Sequence, residues 1–225
     1  MKSYLFFLGS RNGIVDEFKA WCLNELGPRV AESADCSTIR VNIGVDPPGS
    51  GTPYPNEVRE GEDFHVAIDL TTPGESAFLR LFAPFSQEIA ERTAANFGYE
   101  VTTSLEFDEP GKLRGNPTQG YKIMRGFYAF SDLPKSAFRR SWDNHVNLAK
   151  KVHGFARYVR YWIEKPVTEG APPIDGATNL QFASAEDVVA RYFVTPDGRE
   201  RITHDVGHFI DHGLARIFTK EYILK

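Results

Sequence analysis

FRRSWDNHVNLAKKV, residues 138–152, is the stretch from which the fold can be read. Taken as a helix, it sets Phe138, Trp142, His145 and Ala149 at i, i+4, i+7 and i+11, close to one line along the cylinder. That line is apolar except for His145. An imidazole in the middle of an apolar face has left water, so it needs a hydrogen-bond partner or a chemical task. A core histidine satisfied by a tyrosine or a carbonyl meets the first need, and an acid–base group meets the second.

The helix has an internal counterpart 120 residues earlier. Phe18, Cys22, Glu25, Leu26 and Val30 fall opposite Phe138, Trp142, His145, Val146 and Lys150, with Trp21 one place out of register. Working outward, an apolar strand precedes each helix (4–8 and 121–130) and another follows it (38–45 and 155–163). Each second strand runs into a loop rich in proline and glycine, DPPGSGTPYPNE and KPVTEGAPPIDG. A third strand follows (64–70 and 178–182), then a second helix opened by Thr72-Pro73-Gly74-Glu75 or Ser184-Ala185-Glu186-Asp187, both of which read as helix caps. Fourth strands at 99–107 and 214–224 end the halves. Each half reads βαββαβ. The segment 110–119 has no apolar period and reads as a linker, so the expected units are 1–110 and 119–225.

With 225 residues, 41% hydrophobic and 25% charged, the chain can bury a core in each half. A net charge of −4 without a basic run gives no reason to expect nucleic acid as a partner. The opening MKSYLFFLG is too short for a signal segment, and no apolar stretch approaches the roughly 20 residues of a membrane span. A cytoplasmic protein without membrane attachment is expected. The two cysteines, Cys22 and Cys36, have no metal-ligand spacing, and Cys22 reads as a small core residue. No phosphate loop, Gly-x-Ser-x-Gly elbow, His-Glu-x-x-His or Cys-x-x-Cys motif occurs, so no cofactor is expected.

Several polar residues invite a functional reading. On the third strand His65 and Asp69 share a face, which suits acid–base apparatus or, more simply, an edge strand facing water. Strand five alternates Tyr121, Ile123, Arg125 and Phe127 against Lys122, Met124, Gly126 and Tyr128. Arg125, in mid-strand between apolar neighbours, calls for an anionic partner, either protein or ligand. Strand six sets Tyr158, Arg160 and Trp162 on one face and Arg157 and Tyr161 on the other; such residues line pockets for flat oxygenated molecules and also serve as sheet packing. His204, His208 and His212 fall at about 0°, 40° and 80° on a helical wheel, away from Val206, Phe209 and Ile210 near 190°, so they point from the buried face and no metal site is expected. The loop 46–63 is long for a compact domain and reads as a lid, a binding loop or a disordered stretch.

The phrase Phe138-x-x-x-Trp142-x-x-His145, followed by Val152-His153-Gly154-Phe155-Ala156-Arg157-Tyr158-Val159, resembles the EthD family. Ser184-Ala185-Glu186-Asp187 and Asp205-x-x-x-Phe209-Ile210-Asp211 are similar to the second half of that family's domain. The resemblance covers about 121–224; the first half shares the layout but has Glu25 where the histidine would be. It implies an α+β fold of two ferredoxin-like βαββαβ repeats whose sheets pack face to face, a pseudo-dimeric α+β barrel in one chain. Relatives act in the breakdown of ethers and other small organic compounds, or in polyketide tailoring, and His145 looks like the family's recurrent histidine.

The implied function is cofactor-independent proton transfer, of lyase or isomerase type, on a small aromatic or polyketide-like compound. His145 would be the general acid/base and Tyr128 a second catalytic group, with Arg125, Trp142, Tyr158, Tyr161 and Phe138 binding substrate. Tandem barrels of this kind are also similar to the chlorite-dismutase group, which binds haem through a histidine of the second repeat, and His145 would suit that role. A non-catalytic small-molecule-binding module is the third reading. A homodimer of pseudo-dimers is the expected assembly.

Overall fold

The computed structural model describes residues 1–11, 13–49 and 60–225. Most of the loop 46–63, and Asn12 of the first turn, lie outside the described residues.

Strand β1 (Lys2–Ser10) shows why the chain forms a barrel. Its side chains are apolar on both faces. Leu5 and Phe7 enter one cluster with Tyr99, Met124, Ala177 and Leu214, while Tyr4, Phe6 and Leu8 enter another with Phe18, Leu26, Phe78 and Phe85. A strand apolar on both sides has to be covered on both. Here helices cover the outer face and the other strands cover the inner one.

Along the chain, α1 (Val15–Trp21) passes through a π-turn (Cys22–Leu26) into α2 (Gly27–Glu32), followed by β2 (Thr38–Gly44), β3 (Val66–Thr72), α3 (Glu75–Arg92) and β4 (Thr93–Asp108). The second half has β5 (Tyr121–Ala129), α4 (Lys135–Val152), β6 (Arg157–Pro166), β7 (Gly176–Phe182), α5 (Ala185–Arg191), α6 (Gly198–Val206), β8 (Ile210–Gly213) and β9 (Ile217–Ile223). The strands run β7-β6-β4-β1-β3-β2-β9-β5, and β5 pairs back to β7 to close an antiparallel barrel. The seams between halves are β4–β6 and β2–β9. Strand β8 pairs with the far end of β5, so β8 and β9 act as one interrupted strand. Within each half the order is fourth, first, third, second: β4-β1-β3-β2 and β9-β5-β7-β6.

The structure corrects three expectations. First, β3 is no edge strand: it pairs with β1 and β2, Asp69 turns into the barrel, and His65 precedes the strand. Asp69 is taken by Arg40 at 3.0 Å and Asn42 at 3.2 Å, while His65 Nδ1 accepts the Ser10 N–H. Four residues of strand separate the two by about 13 Å, so they form no acid–base pair. Second, the first cap is not made by a side chain. The N-cap of α3 is Gly74, and Thr72 Oγ1 donates to the Gly74 carbonyl instead. Ser184 does cap α5, accepting the Asp187 N–H at 3.1 Å. Third, the helix α6 and strand β8 occupy the stretch where the wheel assumed a continuous helix over 204–212. The segment 110–119 connects β4 to β5, and within it Asn116 exchanges two hydrogen bonds with the backbone of Ile223.

The first helix also shows how the chain deals with Glu25. A carboxylate at the centre of a buried face would be costly, and Pro28 lacks an N–H and crowds the carbonyl of Asn24. The π-turn widens the helix here, with the Gly27 N–H bonded to the Cys22 carbonyl. Glu25 is exposed, Cys22 and Leu26 stay buried, and Arg29 pairs with Glu88 at 2.9 Å.

The barrel and α4 meet most closely at Gly176, where a Cβ would stand 2.0 Å from the Trp142 ring. Gly176→Ala is therefore expected to destabilise by about 1–3 kcal/mol through overpacking. Denaturant melts would show this as a lower midpoint at unchanged slope, and an unchanged midpoint would contradict it.

Candidate active site

Helix α4 buries Phe138, Trp142, His145, Val146, Ala149 and Val152, the apolar line read from the sequence. Helix α6 packs beside it. Between these helices and the outer face of β5, β6 and β7 lies a cavity of about 470 Å³. Its walls include Arg125 and Phe127 from β5, Tyr158 from β6, Thr178 and Leu180 from β7, and Trp142 and His145 from α4. Thr203 and Val206 of α6 and Asp211 and His212 of β8 complete it. The matching space in the first half, lined by Phe6, Leu26, Phe78 and Phe85, is packed down to about 30 Å³. The half that has the histidine is the half with room for a molecule.

His145 is 7% exposed. Its Nδ1 lies 2.6 Å from Asp205 Oδ2, at the last turn of α6. A carboxylate accepts, so Nδ1 carries the proton and Nε2 presents its lone pair. Among the described residues Nε2 has no protein partner. Burial pushes the His145 pKa below the ordinary 6.5; the hydrogen bond and charge of Asp205 work upward, and Arg160 adds to the downward effect. The imidazole is therefore neutral at pH 7, in the state that takes up a proton.

The surroundings hold this arrangement rigid. Trp142 Nε1 donates to Tyr158 Oη at 3.1 Å, and burial raises the Tyr158 pKa far above its usual value, so its hydroxyl stays protonated. Arg160, 4% exposed, bonds Glu106 at 2.8 Å and Asp143 at 2.7 Å and lies over the rings of Trp142 and Trp162. Arg125 donates through Nε to the Leu214 carbonyl at 2.7 Å, which fixes its side chain on the cavity wall.

Of the residues singled out from the sequence, the structure brings His145, Trp142, Arg125 and Tyr158 to one cavity. Phe138 stands one layer behind, its ring 5.3 Å from Trp142 and 5.9 Å from Phe209. Tyr128 and Tyr161 lie elsewhere. Tyr161 belongs to the barrel-interior cluster, and Tyr128 packs against that cluster and stacks on His212 at 4.1 Å. The sequence reading did not assign Asp205, Thr203 or Arg216 to this site. The signal for Asp205 was His145 itself, because a buried imidazole requires a partner. The histidines of the 204–212 stretch fall on different elements, with His204 on α6, His208 in the turn and His212 on β8. His208 Nδ1 bonds the His204 carbonyl and His212 Nδ1 bonds Asp211. Among the described residues no His, Cys, Asp or Glu group is arranged to hold a metal ion, and no helix is long and apolar enough to cross a membrane.

His153, at the end of α4, bonds the Tyr192 carbonyl through Nδ1 and is buried. Burial takes its pKa down to about 4 from 6.5, against the upward pull of that hydrogen bond. The unfolded chain thus binds a proton that the folded chain refuses, and stability falls as pH drops from 6.5 to about 4. The loss is on the order of 3 kcal/mol. Urea melts across that window should show it, and His153→Phe should flatten the slope; an unchanged slope would contradict the assignment.

The fold and the cavity define a class: an α+β barrel with a His–Asp pair over a small-molecule-sized pocket in its second half. Residues 131–213 match the family model described as the EthD domain, which begins just ahead of α4 and ends with β8. No curated protein is a significant match. Among solved structures, an anthrone oxidase-like protein superposes with a TM-score of 0.66 at 13% identity, covering 100% of this chain and 91% of the other. A Fusobacterium nucleatum protein named as a monooxygenase candidate gives 0.57 at 9% identity, covering 100% and 92%. A chlorite dismutase variant from Candidatus Nitrospira defluvii gives 0.53 at 11%, covering 99% and 92%. At these identities the likeness is one of fold.

Proposed function

We propose that the chain is an enzyme that moves a proton on a small aromatic or polyketide-like molecule held in the α4 cavity, with His145 as the base. The observation that carries this is His145 itself: one nitrogen held by Asp205 at 2.6 Å, the other without a partner among the described residues, on the wall of a 470 Å³ cavity. In this reading Nε2 takes a proton from a carbon or hydroxyl of the substrate, and Asp205 stabilises the imidazolium that forms. Negative charge left on a substrate oxygen is met by the Arg125 and Arg216 side of the pocket. His145 then returns the proton to a second atom, which completes an isomerisation or an elimination without net redox change. Trp142, Phe127 and Leu180 supply the water-poor wall that keeps the base neutral. The reading also takes the two halves as a tandem ferredoxin-like repeat, 1–110 and 119–225. Its support is the shared strand order and the paired positions of α1 and α4.

The test is proton exchange. Incubated in D₂O with a panel of phenols, anthrones and β-diketones, the protein should introduce deuterium at an acidic carbon of at least one compound, read by mass spectrometry. Loss of that exchange on His145→Gln supports the reading, and no exchange on any compound counts against it.

The same Nε2 lone pair favours one further reading, that His145 ligates haem iron, with Asp205 orienting the ring as a histidine's hydrogen-bonding partner does. Bound haem would supply redox chemistry. A Soret band that appears on adding hemin and vanishes in His145→Gln would favour this reading over proton transfer.

A further inference from the structure

A second cavity, of about 360 Å³, lies inside the barrel, on the opposite face of the sheet from the α4 pocket. One end of the lumen is filled by Leu5, Phe7, Tyr99, Met124, Ile217 and Leu214. The other end is not filled. There the inward positions turn polar: Arg40, Asp69, Lys122, Arg157, Asn179 and Glu221 line a chamber to which every strand except the short β8 contributes a wall residue. A barrel of eight strands is narrow enough for side chains to close it or for one small ligand to occupy it. This lumen does both, one at each end.

The chamber's charges answer one another. Arg40 pairs with Asp69 at 3.0 Å, Arg157 with Asp108 at 3.1 Å, and Lys122 with Glu221. Arg40 and Arg157 also approach Glu221, at 3.9 and 3.6 Å. Three cations meet three anions, and a charged guest would leave one of its own sign exposed to repulsion in a confined space. Two uncharged lining groups are left over, the Tyr4 hydroxyl and the Asn179 amide oxygen. Asn179 is 3% exposed and lines the chamber; its side chain meets the Tyr161 hydroxyl, and its Oδ1 has no hydrogen-bond partner among the described residues. A buried acceptor without a donor is rare in folded proteins and calls for an explanation. The rim carries apolar surface beside exposed Thr103 and Asp108: Leu105 and Ile223 are 60% and 41% exposed, and Val159 lines the chamber with them.

The geometry points to a second ligand site in the barrel lumen, for an uncharged organic molecule that gives one O–H or N–H to Asn179 Oδ1 and rests its apolar part on Val159, Leu105 and Ile223. The site is separate from the α4 pocket and stands whether or not that pocket is catalytic.

The test is site-resolved NMR on the full chain, labelled with ¹⁵N, with resorcinol, benzamide and cyclohexanol as probes. Benzoate and benzylammonium serve as charged counterparts. The expected result is a saturable shift of the Asn179 side-chain amide and of the Thr103 and Val159 backbone amides with at least one neutral probe. The charged pair should bind at least tenfold more weakly. Thr103 is an exposed rim residue, so Thr103→Trp closes the mouth without touching the core and should abolish these shifts. Asn179→Leu should weaken binding, read at the Thr103 and Val159 backbone amides, about tenfold, the worth of one hydrogen bond to a buried acceptor. His145→Gln should leave the shifts unchanged. Shifts confined to residues of the α4 pocket, equal binding of the charged probes, or no shift with any neutral probe would each overturn the proposal, and the last would mean that water alone fills the chamber.

Discussion

Replacing His145 with glutamine is expected to lower turnover by at least about a hundredfold while leaving the fold intact, the usual loss when a general acid or base is removed. That corresponds to about 2.7 kcal/mol of transition-state stabilisation. Glutamine keeps a donor toward Asp205 and most of the volume beside Phe209, so melting should barely move. Asp205→Asn tests the other half of the pair. It replaces an acceptor-only carboxylate with an uncharged amide that can also donate, so the Nδ1–H tautomer is no longer fixed, and about 10–100-fold of activity should go with it. It should also shift the pH profile in a definite direction. His145 works as a base when neutral, and its pKa is already lowered by burial, so activity falls only on the acid side of the ordinary imidazole range. Asp205 is the influence that raises that pKa. Without it the acid limb should move to still lower pH. Glu25→Gln, at the matching position of the first helix, should leave turnover unchanged, because Glu25 is exposed and the space beneath that helix is filled. Full activity in His145→Gln would return His145 to the role of a core histidine satisfied by Asp205.

How far the sequence could go depends on which interactions are local. The line Phe138, Trp142, His145, Ala149 was readable because one helix carries all four, and helical spacing fixes their common face. The strand parity was equally readable. Arg125 and Tyr128 fall on opposite faces of β5, as do Tyr158 and Tyr161 on β6, and the structure separates both pairs as the alternation requires. Assigning all four to one site overrode a rule that the strands themselves supply. Asp205 was out of reach for a different reason. The wheel drawn over 204–212 assumed one helix, whereas α6 gives way after Val206 at Gly207 and the chain turns into β8. That break leaves Asp205 on the turn facing α4, 60 residues away in sequence, and no local pattern encodes such a pairing. The edge-strand reading of β3 failed similarly. Which strands lie beside β3 is set by the barrel's closure, and a polar inward face on an internal strand looks like a wet edge until its partners Arg40 and Asn42 are seen.

Those inward polar residues carry the largest expected effect on stability. Lys122 is 1% exposed and Glu221 3%, and the Lys122 ammonium bonds both Glu221 and Asn42. Lys122→Met removes the cation and leaves Glu221 buried, which should cost about 3–5 kcal/mol. The lower end is expected, since Arg40 and Arg157 remain near the carboxylate. The double replacement Lys122→Met with Glu221→Leu should recover most of that loss, because two apolar side chains of similar volume replace a desolvated ion pair. Recovery in the double variant separates this account from simple damage to the barrel, which two core substitutions would deepen. The pH dependence gives an independent check. Burial pushes the Glu221 pKa upward, but Lys122, Thr118 and Arg40 more than offset this and leave it below 4.5. A carboxylate with a lowered folded pKa stabilises the protein above its unfolded value, and this contribution is lost as pH falls toward the folded one. In Lys122→Met the main downward influence is gone and burial is opposed only by the weaker ones. The folded pKa should then rise toward or past the unfolded value, and the stability lost on acidification below pH 4.5 should shrink. An acid limb as steep in Lys122→Met as in the unmodified protein would show that Glu221 does not depend on Lys122 for its charge.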